Sequence, residues 1–216
     1  MKRSKVRWSS SLGRRKRQRE PYDVVLIVCE GGKTEPHYFN GLRNKLCLSH
    51  ANIRVCGKEC GSSPISVVEY AEQEFSKNRD YDRVFCVFDK DTHTTYSAAL
   101  DKIKGKQKKK KNLFNAVTSV PCFEFWLLLH YEDTTRPYGG MVGSYSACDK
   151  VISDLRKHIH DYEKGREDIF EITYQYISKA VDRACSVEKR QKEALTDNPS
   201  TKIHHLIKYL ESLKQR

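Results

Sequence analysis

Residues 23–36 have the sequence DVVLIVCEGGKTEP, and this stretch decides the fold class of the chain. Its first seven residues are mostly β-branched or apolar and lack polar alternation, which is typical of a strand buried on both faces of a parallel sheet. Glu30 to Glu35 form a predicted turn, and Pro36 suits the first turn of a helix that we expect to end near Leu48. The stretch therefore predicts a strand, a turn and a helix, which together open an α/β fold.

The same alternation continues to about residue 131. Further strands are predicted at 52–56, 83–88 and 113–119, and further helices at 65–77, 94–104 and 121–131. Strands that alternate with helices in this way predict a parallel sheet flanked by helices. Three helical segments follow, at 146–160, 173–192 and 200–214. We therefore divide the chain into a disordered basic arm (1–20), an α/β domain (21–131) and a helical C-terminal extension (132–216).

The positive charge is concentrated in two segments of a chain whose net charge is +12. Residues 1–20 contain nine Lys and Arg against one Glu, and residues 101–112 contain seven Lys against one Asp. Two cationic segments on a nearly neutral body favour a polyanionic partner, and nucleic acid is the natural candidate. The alternative is that both segments are solvated runs that aid solubility. The candidate phosphate-contacting residues are Arg14, Arg15, Lys16, Arg17, Lys106, Lys108, Lys109, Lys110 and Lys111.

Several classes of protein are disfavoured by the sequence. No stretch approaches the roughly 20 apolar residues of a membrane span, and no apolar segment follows the basic N-terminus as in a secretory signal. We therefore expect a cytoplasmic protein without a membrane partner. The eight cysteines are scattered, which predicts reduced, buried thiols and no disulfide framework. Zinc is not favoured, because Cys56 and Cys60 lack a second ligand pair, and the adjacent His204 and His205 would point about 100° apart on a helix.

Three acidic residues follow two of the predicted strands. Glu30 ends the first strand, and Asp89 and Asp91 end the strand at 83–88. Because sites in open parallel sheets form beyond the carboxyl ends of the strands, we expect these carboxylates to converge and to bind Mg²⁺ or Mn²⁺. A metal there could activate water and stabilise charge on a transferring phosphoryl group. The alternative is that the Asp residues bond the turn backbone and that Glu30 pairs with Lys33.

The Gly-Gly-Lys-Thr segment is not a phosphate-binding P-loop. The motif requires Gly five positions before Gly32, and that position is Ile27 inside the strand. Lys33 can still contact a phosphate as a point charge near a helix N-terminus, or it can be an ordinary surface lysine.

Three further residues have two open interpretations each. Glu124, in the otherwise apolar stretch FEFWLLLH (123–130), is either a charge stabilised in the first turn of a helix or a fourth carboxylate of the site. His130 is either a partner of the helix C-terminus or a site residue. His93 is either a proton carrier or a surface loop residue.

Four segments together resemble a known family. LIVCEGGKTEPHYF, CVFDKDTH, SVPCFEFWLLLHY and NPST, within 24–39, 86–93, 119–131 and 198–201, are similar to the RloB-like (AbiLii) family, and the first two resemble the Toprim domain. The resemblance implies a Toprim-like fold, a role in bacterial anti-phage or restriction-linked loci, and an ABC-type ATPase partner. It also implies that Glu30 is a general acid/base or metal ligand, and that Asp89 and Asp91 hold Mg²⁺.

Three functions follow as hypotheses. The first is a Mg²⁺-dependent nuclease that acts on DNA or tRNA, with Glu30, Asp89, Asp91 and Glu124 as its catalytic residues. The second is a non-catalytic module that binds nucleic acid or a partner. A nucleotidyl-transfer or ligase-like activity is the third, although no nucleotide-binding fingerprint supports it. The sequence leaves homo-oligomer formation open.

Overall fold

The computed structural model describes residues 23–49, 53–90, 93–109, 113–139 and 145–214, with backbone alone at 108–109. Several predicted site residues lie outside these ranges, and the predictions on them remain predictions. They are Asp91, Lys110, Lys111 and, in the N-terminal arm, Arg14, Arg15, Lys16 and Arg17.

A five-stranded sheet confirms the predicted α/β fold. Its strands are β1 (Val25–Cys29), β2 (Ile53–Cys56), β3 (Arg83–Asp89), β4 (Phe114–Val120) and β5 (Ser200–Thr201), in the order β2-β1-β3-β4-β5. The first four strands are parallel, and β5 pairs antiparallel with β4. The two-residue strand β5 was not predicted, because a pair this short has no periodicity in the sequence.

Eight α-helices lie in the described residues. They are α1 (Thr34–Lys45), α2 (Pro64–Lys77), α3 (Tyr96–Lys109), α4 (Glu124–Leu128), α5 (Ala147–Leu155), α6 (Ile169–Tyr174), α7 (Ile177–Glu193) and α8 (Ile203–Lys214). None of these helices is long and apolar enough to cross a membrane.

Several helix bounds correct the sequence-based predictions. The helices α4 and α5 are shorter than the segments predicted at 121–131 and 146–160, and α8 begins at Ile203 instead of residue 200. Two further differences concern α3 and α7. The chain between 104 and 109 is helical and not a loop, since Lys is a good helix former and Gln107 Nε2 donates to the carbonyl of Phe114 (2.9 Å). The single helix predicted at 173–192 is interrupted before α7. Near the break, the Thr173 hydroxyl donates to the carbonyl of Ile169 (2.6 Å), a back-bond that competes with regular helix geometry.

Both faces of the sheet are covered by helices. Val25, Ile27 and Cys29 of β1 face a core that includes side chains of α1, α4, α5, α6, α7 and α8. Leu26 and Val28 face a second core built with α2 and α3. The alternation explains why all of β1 is apolar, as the sequence predicts. Helices beyond residue 132 pack into the same core as α1.

One cysteine pair corrects the expectation of eight reduced thiols. Cys122 and Cys148 form a disulfide with a Cα–Cα distance of 5.7 Å, while the other six cysteines are free. The two residues are 26 positions apart in the sequence, and packing of α5 against α4 brings them together, so spacing alone could not predict the pair. The bond ties the turn after β4 to the start of α5.

Candidate active site at the carboxyl end of the sheet

The carboxylate of Glu30 is fixed against the end of the neighbouring strand. β1 and β3 are parallel partners, and the Glu30 N–H continues their ladder by donating to the carbonyl of Val87 (2.9 Å). Glu30 Oε2 then accepts the backbone N–H of Asp89 (3.0 Å), and Glu30 Oε1 lies 2.9 Å from Nε2 of His93. Glu30 and Asp89 therefore meet at one sheet edge, as the strand ends suggested.

Asp89 is held by the turn that follows the next strand. Its Oδ2 accepts the backbone N–H of Phe123 (3.0 Å), directly before α4. Burial raises the pKa of Asp89 well above its usual range, the charges of Glu35 and Glu124 raise it further, and the Phe123 N–H opposes the shift. A bound cation would stabilise the charged form of Asp89, because the carboxylate is buried and has several acidic neighbours.

Glu35 belongs to the same group, although it was not among the site residues predicted from the sequence. It is the second residue of α1, it is 7% exposed, and its Oε1 accepts the backbone N–H of Gly31 (3.2 Å). A Cβ at Gly31 would overlap the Glu35 carboxylate, so this close approach requires glycine. Burial raises the pKa of Glu35 to about 7, with Glu124 and Glu30 adding to the shift. The sequence signal that could have identified Glu35 is its place at the start of the predicted helix, five positions after the strand-end residue Glu30.

Glu124, the possible fourth carboxylate of the site, is the first residue of α4 and is 3% exposed. Its Oε1 accepts the hydroxyl of Tyr162 (3.0 Å) and lies 3.9 Å from Nζ of Lys164. Its Oε2 lies 3.5 Å from Sγ of Cys148. Tyr162 and Lys164 come from the loop between α5 and α6, and no motif in the sequence pointed to them.

The acidic side chains described above line one cavity of about 420 Å³. The four carboxylates of Glu30, Glu35, Asp89 and Glu124 share it with Lys33, Lys164 and His93. The loop that carries Lys164 docks on the start of α1, where the Gly165 N–H donates to Oγ1 of Thr34 (2.8 Å). We call this cavity, which is lined by four acidic residues and two lysines, the carboxylate cavity.

Four predicted residues do not line the carboxylate cavity. Lys106 Nζ pairs with Glu72 on α2 (2.9 Å) and does not line the carboxylate cavity. His130 is 1% exposed in the core, where its Nδ1 lies 3.1 Å from the carbonyl of Trp126 and its Nε2 lies 3.3 Å from the hydroxyl of Tyr38. This placement is that of a helix-end partner. Lys108 and Lys109 lie on the last turn of α3.

The donor set of the carboxylate cavity fits a hard divalent cation. All four acidic residues offer oxygen ligands, which Mg²⁺ and Mn²⁺ prefer. The raised pKa values of Asp89 and Glu35 show that desolvation and mutual repulsion disfavour their charged forms when no cation is bound. Glu30 and Asp89 have fixed orientations, because each accepts a backbone N–H from the neighbouring chain segment.

Comparison with known proteins gives one match. The family model described as RloB-like protein matches residues 25–210. The chain belongs to this family. Every residue that lines the carboxylate cavity of this RloB-like protein falls within the matched range. No curated protein and no solved structure matches the chain.

Proposed function

We propose that this RloB-like protein is a Mg²⁺- or Mn²⁺-dependent, Toprim-like endonuclease of bacterial anti-phage defence. Its substrate is nucleic acid, either DNA or tRNA, and it works in the cytoplasm with an ABC-type ATPase partner. The presence of four acidic residues and two lysines in the lining of one cavity supports the catalytic part of the proposal. Family membership and the resemblance of the strand-end motifs to the Toprim domain support the cellular role.

The residues of the carboxylate cavity divide the chemistry among them. Lys33 and Lys164 offer two positive charges to the phosphate backbone. Glu30 and Asp89, with Asp91 by its sequence position, would hold the divalent cation. When bound, such a cation supplies Lewis-acid stabilisation of the charge that develops on a phosphoryl group. His93, with its Nε2 2.9 Å from Glu30 Oε1, is positioned to exchange a proton with that carboxylate.

The proposal is tested by cleavage assays on the full chain, with and without the candidate ATPase. Plasmid, single-stranded DNA and total tRNA are each incubated with Mg²⁺, with Mn²⁺ and with a chelator. We expect cleavage of at least one substrate with a divalent cation and none with the chelator. Asp89→Asn and Glu30→Gln should reduce cleavage at least a hundredfold, because each removes a negatively charged ligand while preserving the shape of the side chain.

The matched control is Asp182→Asn, since Asp182 is an exposed residue of α7 that lies outside both cationic segments and does not line the carboxylate cavity. It should retain wild-type cleavage. Wild-type cleavage by both Asp89→Asn and Glu30→Gln would refute the proposal. Nucleic-acid binding without cleavage, together with no heat of Mg²⁺ binding in calorimetry, would favour the non-catalytic binding module instead.

A further inference from the structure

A second group of metal-ligating side chains lies between α7 and α8. Glu188 projects from α7, and His204 and His205 stand in the first turn of α8. Glu188 Oε2 lies 3.1 Å from Nε2 of His204 and 2.9 Å from Nε2 of His205. One ligand atom from each residue lies within 4.8 Å of the other two. None of these residues lines the carboxylate cavity.

Adjacent positions on a helix do not keep the two histidines apart. Their ring centroids are 4.0 Å apart, and the rings are inclined by 37°. Neighbouring helical positions are separated by about 100°, but both side chains bend toward the same carboxylate oxygen. Their Nε2 atoms therefore lie on the same side of the helix. His204 and His205 can therefore contribute to one metal site, although their positions on the helix predicted that they would point apart.

The ligand types are those of a zinc site, and the two hydrogen-bond distances to Glu188 are compatible with a shared ion. Zn²⁺ binds imidazole nitrogen and carboxylate oxygen at about 2.0–2.2 Å, which places tetrahedral ligand atoms about 3.3 Å apart. The two distances to Glu188 Oε2 are within a few tenths of an ångström of that value. Two His and one carboxylate with a fourth position open to water is a common zinc ligand set.

We propose that Glu188, His204 and His205 form a Zn²⁺ site that clamps α7 to α8. His204 is fully buried, while the side chain of His205 is 55% exposed, so the ion can enter from the solvent side and retain a water ligand there. The site is separate from the carboxylate cavity, and the inference does not depend on the proposed nuclease activity.

The test is calorimetric titration of the tag-free full chain with Zn²⁺. Excess Mg²⁺ is present so that the carboxylate cavity is occupied, and reductant is omitted so that the Cys122–Cys148 disulfide is kept. The variants are His205→Ala and Glu188→Gln, which alter exposed or half-buried side chains; the buried His204 is left intact to preserve folding. The matched control is His160→Ala, an exposed histidine of the α5–α6 loop.

We expect wild type and His160→Ala to bind one more equivalent of Zn²⁺ than the two site variants, or to bind it at least tenfold more tightly. Zn²⁺ should also raise the unfolding temperature of wild type and His160→Ala but not of His205→Ala, because the ion binds the folded clamp. Equal stoichiometry and affinity in wild type, His205→Ala and Glu188→Gln would overturn the proposal. Cleavage is not measured, so this result and the nuclease result are independent.

Discussion

His130 shows how burial can give a polar residue a structural role. Its imidazole accepts or donates at both nitrogens inside the core, between Tyr38 and the last turn of α4. Burial lowers its pKa to about 4, although the carbonyls of Trp126 and Leu127 oppose the shift. The neutral form is therefore the one that the folded state accommodates.

The pH dependence of stability should report this histidine. Its pKa in the folded state is below the value of about 6.5 in the unfolded chain, so its stabilising contribution is complete above pH 6.5 and is lost as the pH falls toward 4. Between pH 7 and pH 4, we expect wild type to lose about 3 kcal/mol more unfolding free energy than His130→Gln. Urea denaturation at several pH values measures the unfolding free energies of wild type and His130→Gln. His204 titrates in the same direction, and it is unchanged in both proteins. Parallel pH profiles would contradict the prediction.

Lys33 and Lys164 reach the carboxylate cavity from opposite ends of the chain. Lys33 follows β1, whereas Lys164 comes from the C-terminal half and lies 3.9 Å from Glu124 Oε1. If both contact phosphate, each substitution removes one released counterion per bound nucleic acid.

We therefore expect Lys33→Ala and Lys164→Ala each to reduce the slope of log K against log salt concentration by about one. The measurement is fluorescence anisotropy with a labelled oligonucleotide over a range of salt concentrations. Lys189→Ala, an exposed lysine of α7, is the control and should leave the slope unchanged. A slope identical to wild type in both cavity variants would exclude these lysines from the binding surface.

Two glycines have opposite roles in the elements that carry them. Gly165 has φ +87° in the loop between α5 and α6, and a Cβ there would lie 2.8 Å from Cδ of Lys33. Gly105 lies within α3, and a Cβ there would meet nothing within 4 Å. The first glycine is required by backbone conformation and close packing, whereas the second only weakens its helix.

Alanine at the two positions should therefore shift stability in opposite directions. We expect Gly165→Ala to lower the unfolding free energy by about 1–2 kcal/mol, because it forces a left-handed conformation on alanine. Gly105→Ala should raise the unfolding free energy by up to about 1 kcal/mol, through its higher helix propensity. Urea denaturation at one pH compares the two variants with wild type. A loss of stability in Gly105→Ala would contradict the prediction, because no neighbouring atom would clash with the added methyl group.

The elements were predictable where periodicity is strong. The continuous apolar runs identified β1 and β3, and their ends placed Glu30 and Asp89 at one edge. The sequence could not reveal β5, because two residues paired across 80 positions leave no local pattern. Likewise Lys164 reaches the site through tertiary packing of a loop, which no motif encodes.

At the scale of the whole molecule, the C-terminal half completes the carboxylate cavity. Tyr162 positions Glu124, Lys164 adds a positive charge, and helices of this half fill the core beneath β1. The Cys122–Cys148 disulfide joins the two halves beside the cavity, since Cys122 lines it and Cys148 begins the segment that leads to Tyr162. Loss of this bond should therefore weaken the attachment of the C-terminal half.

Removing the disulfide should destabilise the entire fold. The two cysteines are 26 residues apart, and closing a loop of that length is worth about 3 kcal/mol through the entropy of the unfolded chain. Under oxidising conditions, we expect Cys148→Ser to unfold at a lower urea concentration than wild type, and a reductant should bring wild type down to the level of the variant. Cys47→Ser, which removes an exposed free thiol, should keep both the wild-type stability and its sensitivity to reductant. If the reductant leaves wild type unchanged and Cys148→Ser matches it throughout, packing between the two halves holds them together without the bond.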